Sequence, residues 1–181
     1  MVFIYMSQVA FTAKVIQIED WKIIHLPKSA SLHLPSRGMA MADITINNTT
    51  FHVALEPDGV GSHWFRLEKQ MLDAAKLHVG DSVQILMEPS EEWSEPDVPE
   101  DLKQALESTP QAYSLWKKVT PIAHWDWIRW IRATKQPETR KRRIEVACSK
   151  LTAGSRRPCC FNRSACTIPE VSKNGVLVDA A

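Results

Sequence analysis

The sequence lacks the features that mark membrane-spanning and exported chains. No apolar run approaches the roughly 20 residues that a membrane-spanning helix needs, and Met1–Met6 contains neither a basic segment nor a small-residue cleavage site. A hydrophobic content of 44% in 181 residues is ordinary for a folded protein and allows one mid-sized domain or two small ones. We therefore expect a folded, cytoplasmic protein.

Short catalytic motifs are also missing. The sequence has no G-x-S-x-G nucleophile turn, no glycine-rich phosphate loop and no H-E-x-x-H zinc helix. No histidine stands beside a second ligand at metal-binding spacing; the six are at positions 25, 33, 52, 63, 78 and 124. We therefore predict no catalytic residue, no metal ligand and no cofactor, and expect that the protein is not an enzyme. An active site assembled from distant residues is the alternative.

The cysteines fit neither a disulfide scaffold nor a paired C-x-x-C zinc site. All four lie in the last quarter of the chain, at positions 148, 159, 160 and 166. Cys148 stands at helical spacing with Ile144 and Leu151, which predicts a buried thiol. Cys159-Cys160 follows Arg156-Arg157, whose charge could lower a thiol pKa, but ordinary reduced thiols are the simpler prediction.

The first half of the chain alternates apolar and polar residues with the period of half-buried strands. Six segments show this pattern, at residues 9–18, 21–26, 39–46, 50–55, 62–67 and 77–86. Asn47-Asn48 marks the clearest hairpin, because Asn tolerates the left-handed conformation that tight turns need. One helix-compatible run, Lys69–Lys76, interrupts the strands. Short strands with one short helix predict a small β-barrel.

Gly80 and Asp81 precede the last of these strands. Gly takes a positive φ without strain, and an Asp carboxylate accepts hydrogen bonds from nearby backbone N–H groups. The pair therefore predicts a structural turn, with a catalytic role for Asp81 as the less favoured alternative.

Prolines introduce the helices of the second half. Residues 88–97 are acidic and contain two prolines, which suits an exposed linker. Four helices are then predicted to begin at Pro99, Pro110, Pro121 and Pro137, the last ending at Gly154. The predicted fold class is α+β, with a β-barrel at residues 9–88, a C-terminal helical module at 97–154 and a flexible tail at 155–181.

Charge is distributed unevenly along the chain. Residues 1–116 carry 8 Lys and Arg against 16 Asp and Glu, a net charge of −8, whereas residues 117–163 carry 13 against 3, a net charge of +10. Arg140–Arg143 falls in the first turns of the last predicted helix, where the helix dipole disfavours positive charge. Acidic groups of the first half, Glu138 or a bound anion would compensate. The simpler explanation of this charge pattern is that the basic segment docks onto the acidic half of the chain or is solvated. The alternative is that it binds an external polyanion.

The helical module is also rich in tryptophan, with four residues at 116, 125, 127 and 130. If a binding site exists, we expect Arg140, Arg142 and Arg143 with Trp127 and Trp130 to hold an anionic partner through charge-assisted hydrogen bonds and aromatic contact. Tryptophan with arginine is also typical of single-stranded nucleic-acid binders. Nucleic-acid binding is the less favoured alternative, because Trp at helical spacing usually belongs to a core and an acidic first half repels phosphate.

Several segments resemble a known family. Val98–Leu106, Trp127–Ile131 and Lys135–Ile144 closely resemble the helical region of the bacteriocin-protection family labelled YdeI or OmpD-associated. Ile46–Phe51 and Val79–Val83 resemble an uncharacterised barrel domain that often precedes that region. Together the two resemblances cover roughly residues 9–154, and neither depends on one short motif.

The resemblance implies a double-split β-barrel, distantly related in shape to AbrB-type DNA-binding barrels, followed by the helical domain. It also implies a non-enzymatic bacterial binding or stress-tolerance protein, with a role in protection against bacteriocins or antimicrobial peptides. The family supplies no established reaction and no catalytic residues that could be placed on this chain.

Overall fold

The computed structural model describes residues 7–179. The chain forms two compact units, which we treat separately. The barrel unit contains residues 7–92, Arg163–Cys166 and residues 170–179; the helical unit contains Trp93–Asn162 and Thr167–Pro169.

Six antiparallel strands close the barrel in the order β1-β2-β5-β4-β3-β6. They are β1 (Val9–Ile18), β2 (Trp21–His25), β3 (Ala40–Ile46), β4 (Thr49–Pro57), β5 (His63–Arg66) and β6 (Ser82–Ser90). Two short helices, α1 (Lys28–Ser31) and α2 (Lys69–Ala75), connect strands. The barrel and its six strands confirm the prediction, while α1 was not predicted because four residues carry too little periodicity to detect.

The alternation in the sequence corresponds to the inside and outside of the barrel. In β6, Val83, Ile85 and Met87 are buried in the core while the residues between them are exposed. Asn47 and Asn48 have φ values of 49° and 62° and connect β3 to β4 through the pair Ile46 and Thr49. Two left-handed residues form the turn whose twist matches that of the flanking strands.

β6 continues to Ser90, beyond Glu88, where the acidic linker was expected to begin. Pro89 is paired with Ala42 of β3, and the pairing of β6 with β1 ends at Met87. Proline is tolerated here because β6 has a single described neighbour at this point, so no ladder bond on the other side requires the missing N–H.

The helical unit contains α3 (Glu100–Glu107), α4 (Pro110–Trp116), α5 (Pro121–Arg132) and α6 (Pro137–Thr152). All four predicted helices are present, and α4, α5 and α6 begin at the expected prolines. Their shared core includes Leu102, Leu106, Trp116, Trp127, Ile131, Ile144 and Leu151. Within residues 7–179, none of the helices combines the length and the apolar character needed to cross a bilayer.

The last segment of the chain forms a small hairpin in the barrel unit. β7 (Ser172–Lys173) pairs with β8 (Val176–Leu177) across a turn at Asn174 and Gly175. Val171 and Leu177 are fully buried, and the Leu177 N–H donates to the carbonyl of Asp58 at 2.8 Å. The sequence predicts a flexible tail for residues 155–181, and amide hydrogen exchange tests that prediction.

Candidate functional site

Arg140 on α6 forms a bidentate ion pair with Asp101 in the first turn of α3. Its Nε lies 2.7 Å from Oδ2 of Asp101, and its Nη2 lies 2.9 Å from Oδ1. The hydrogen bond from Arg140 outweighs the opposing effect of burial and lowers the pKa of Asp101. This acid of the helical unit supplies the negative charge that a cation near a helix N-terminus needs.

Arg143 is directed to the end of α5. Its Nη1 donates to the backbone carbonyl of Trp130 at 2.7 Å, and its guanidinium carbon lies 5.6 Å from the centre of the Trp130 ring. Trp130 lies in the last turn of α5, where backbone carbonyls lack partners within the helix. Arg143 therefore joins the two helices and stabilises the negative end of α5.

Trp127 belongs to the interior of the helical unit. Its side chain is fully buried, and its indole N–H donates to the carbonyl of Arg156 at 3.0 Å. Trp127 and Trp130 meet edge to face, with ring centres 6.2 Å apart. Trp130 is half-buried, so it is the member of this pair that presents surface to solvent.

Lys141 and Arg142 are the exposed cations of the first turns of α6. The described ion pairs and hydrogen bonds include neither residue. Glu138 stands four residues before Arg142, and Glu145 four residues after Lys141, so each cation has an acid within reach along the helix. Five residues were predicted to bind a partner. Arg143 contacts Trp130, which in turn packs against Trp127, whereas Arg140 is paired with Asp101. Arg142 is exposed.

Sequence reasoning missed a set of charged residues at the core of the helical unit. Asp126 and Arg129 of α5 are buried, at 4% and 1% exposure. Asp126 accepts hydrogen bonds from Arg157, with Nε at 2.7 Å, and the guanidinium carbon of Arg129 lies 5.7 Å from the ring centre of Phe161. The available signal was the presence of both charges, three residues apart, in a helix whose other residues are apolar except for His124 and Arg132.

His124 is a satisfied core histidine. One ring nitrogen, Nδ1, lies 2.7 Å from a carboxylate oxygen of Glu95, and Nε2 lies 2.8 Å from the carbonyl of Trp116. Its ring packs against that of Trp116 with centres 4.3 Å apart. His124 of α5 therefore connects this helix to the segment before α3 and to the C-terminal end of α4.

Gly80 and Asp81 have the geometry of a turn. Gly80 has a φ of +95°, and its N–H donates to the carbonyl of Val15 at 2.8 Å. Oδ2 of Asp81 accepts a hydrogen bond from the backbone N–H of His78 at 2.8 Å. Over residues 7–179, His, Cys, Asp and Glu side chains form no group of three or more that could hold a metal ion.

The cysteines divide by exposure. Cys148 is buried, and that burial raises the pKa of its thiol, although a hydrogen bond with Thr109 acts in the opposite direction. Cys159 and Cys160 are exposed. A hydrogen bond from Cys160, and then one from Lys150 with Nζ at 3.5 Å, lowers the pKa of the Cys159 thiol.

Two known families match this chain, one within each compact unit. Residues 95–154 match the family described as bacteriocin-protection, YdeI or OmpD-associated, and residues 11–87 match a domain of unknown function, DUF1905. The chain is therefore similar to a DUF1905 domain over residues 11–87 and to the YdeI/OmpD-associated family over residues 95–154, in that order. No curated protein matches the sequence significantly.

The matched ranges follow the structural elements. The YdeI/OmpD-associated range begins before α3 and ends at Gly154, which follows the C-cap of α6 and has a φ of +96°. Arg140, Arg143 and both candidate tryptophans lie within it, as does the Asp101 partner. The β7-β8 hairpin and the exposed cysteine pair lie outside both ranges.

Proposed function

We propose that this chain is a non-enzymatic binding protein of the bacterial cytoplasm that acts in protection against bacteriocins or related antimicrobial stress. Its YdeI/OmpD-associated domain binds an acidic segment of a partner protein. Lys141 and Arg142 supply the charges that contact this segment, and the exposed side of Trp130, which packs against Arg143 of α6, supplies apolar surface.

The division of the α6 cations is the observation that supports this proposal. Arg140 is engaged by a carboxylate and Arg143 by a carbonyl and an aromatic ring. Both interactions are internal to the helical unit and fix the first turns of α6. Lys141 and Arg142 are exposed on the same turns. A rigid helix that presents two exposed cations has little backbone conformational entropy to lose when an acidic partner binds.

The acids beside these cations favour a protein over a nucleic acid as the partner. Glu138 and Glu145 interrupt the positive surface of α6, and an uninterrupted phosphate backbone would be repelled at those positions. A protein segment with spaced acids and occasional cations can match the mixed pattern of positive and negative charge on α6. The buried state of Trp127 also removes one of the two rings that base stacking would use.

Fluorescence anisotropy with a labelled peptide of alternating Glu and Ser tests this proposal directly. The titration compares the intact protein with the double variant Lys141→Ala, Arg142→Ala, at low salt and at about 0.15 M salt. Loss of two exposed charge contacts should weaken binding about tenfold at low salt. A labelled single-stranded DNA of random sequence is titrated in parallel.

The matched control is the double variant Lys103→Ala, Lys118→Ala, which removes two exposed cations elsewhere on the helical unit. It should bind the peptide nearly as well as the intact protein. Equal weakening in both variants would show nonspecific attraction to positive charge and contradict the proposal. Tighter binding to the DNA than to the peptide, lost in the α6 variant, would replace the acidic-protein partner with a nucleic acid.

A further inference from the structure

The barrel unit contains a separate pocket of about 570 Å³ next to the β7-β8 hairpin. Its polar lining includes Lys14 of β1, His25 of β2, Lys28 of α1, Asp58 and Asp179. All of these residues belong to the barrel unit. Neither family description assigns a role to this pocket, and the proposed function does not use it.

Asp58 is the fixed anion of the pocket. Its side chain is 1% exposed, and Oδ1 accepts hydrogen bonds from the backbone N–H groups of Val60 and Ser62 at 2.8 and 2.9 Å. Oδ2 lies 3.0 Å from Nε2 of His25. Burial opposes ionisation of Asp58 most strongly, but these hydrogen bonds together outweigh it and lower the pKa of Asp58. An ionised Asp58 therefore accepts a hydrogen bond from the Nε2–H of His25.

Asp179 occupies the other side of the His25 ring. Its Oδ2 lies 3.2 Å from Nδ1, and the bond from the Leu177 N–H to the carbonyl of Asp58 positions the chain for this contact. Both ring nitrogens can donate to carboxylates only when His25 is an imidazolium. Unlike Asp58, the Asp179 side chain is 42% exposed. Solvent competes for it, so it is the exchangeable carboxylate of the two.

Without the Asp179 carboxylate, the pocket lining has the ammonium groups of Lys14 and Lys28 and the imidazole of His25 against the single carboxylate of Asp58. We propose that the pocket binds a small organic dicarboxylate in exchange for Asp179. One carboxylate of the ligand takes the place of Asp179 on Nδ1 of His25, and the other is neutralised by Lys14 and Lys28. The contact with Asp179 shows that a planar carboxylate fits against the ring at hydrogen-bond distance.

Calorimetric titration with succinate, together with nitrogen NMR of the His25 ring, tests the proposal. The variant Asp179→Asn removes the competing charge and should bind succinate about tenfold more tightly than the intact protein, because the internal carboxylate no longer occupies the site. His25→Gln should abolish binding. The paired variant Lys14→Ala, Lys28→Ala alters exposed side chains only and should also lose binding, which keeps the test valid if His25→Gln unfolds.

The matched control is His52→Gln. His52 forms a similar pair with Asp43, with Nδ1 2.8 Å from Oδ1, on the barrel but away from the pocket lining. Its loss should leave succinate binding unchanged. Binding of inorganic phosphate as tight as that of succinate would overturn the carboxylate assignment. Absence of succinate binding by the Asp179→Asn protein, or equal loss in the His52→Gln control, would overturn the site itself.

Discussion

The barrel unit and the helical unit use charged side chains in different ways. Backbone hydrogen bonds join every neighbouring pair of strands in the barrel. The buried charged side chain of Asp58 lines a pocket there. Helices satisfy their backbone groups internally, so only side chains can join one helix to the next. Arg140 and Arg143 do this in the helical unit, and Arg157 joins the segment after α6 to Asp126 of α5. A high count of arginine there is therefore partly structural and is not by itself a binding footprint.

The two compact units also differ less in net charge than the two halves of the sequence. Divided at residue 116, the chain separates into segments of strongly opposite sign. Counted over the two compact units, the barrel unit carries 9 Lys and Arg against 13 Asp and Glu, and the helical unit 13 against 8. The net charges are then −4 and +5. The acids between Glu95 and Glu107 belong to the helical unit and partly neutralise its cations.

The largest predicted effect is loss of the helical core. Trp127→Ala should lower the free energy of unfolding by about 4 kcal/mol, because it removes a fully buried indole and leaves its cavity. Trp130→Ala, at a half-buried ring, should cost much less. Denaturant unfolding followed by circular dichroism at the helical signal measures both. Equal effects of the two variants would contradict the assignment of Trp127 to the interior.

In the barrel unit the corresponding change is Asp58→Ala, which should cost about 3 kcal/mol because the backbone N–H groups of Val60 and Ser62 and the ring of His25 lose their acceptor. The lowered pKa also predicts a pH dependence. An Asp with a depressed folded pKa contributes stability above its ordinary pKa and loses it as the pH falls through the folded value. Asp58→Asn should therefore flatten the acidic limb of a plot of stability against pH, measured by urea unfolding.

A smaller effect is expected for Arg140→Ala on α6. Loss of the bidentate pair with Asp101 should cost about 1 kcal/mol, since both partners are partly exposed. Arg142→Ala, a neighbouring change of equal charge, should be nearly neutral. Thermal unfolding of the two variants side by side checks the ordering. A larger loss for Arg142→Ala would show that this residue has a structural partner.

The smallest effect on stability is expected at the exposed cysteines, where the readout is chemical. At neutral pH, Cys159 should react with iodoacetamide at least about tenfold faster than Cys148, because its thiol is exposed and has a lowered pKa. Mass spectrometry of partly alkylated protein measures the two rates. Lys150→Gln should slow the reaction of Cys159 and leave that of Cys148 unchanged; the opposite pattern would contradict the role of Lys150.

The sequence was most informative where local pattern alone decides structure. Period-two alternation located the strands, the Asn47-Asn48 pair located a hairpin, and prolines marked three helix starts. The β7-β8 hairpin was missed even though Asn174-Gly175 is a strong turn signal. Its strands are only two residues long, so alternation could not be detected. Amide hydrogen exchange would show whether Leu177, which is fully buried, is protected or belongs to a mobile tail.

The candidate site was less predictable, because the partners of its charges are distant in sequence. Arg140 and Asp101 are separated by 39 residues, and Arg157 and Asp126 by 31. Within α5, Trp125 is half-buried whereas Trp127, two residues later, is fully buried. Tertiary packing, which depends on how neighbouring helices cross, decides which side of a tryptophan-rich helix faces the core.

On α6, the structural cations Arg140 and Arg143 are separate from the proposed binding cations Lys141 and Arg142. The most direct test measures peptide affinity and melting temperature together for two double variants of equal charge, Arg140→Gln with Arg143→Gln and Lys141→Gln with Arg142→Gln. We expect the first to melt several degrees lower and keep its affinity for the Glu–Ser peptide, and the second to keep its melting temperature and lose affinity. Loss of affinity confined to the first variant, or loss of stability confined to the second, would contradict the claim.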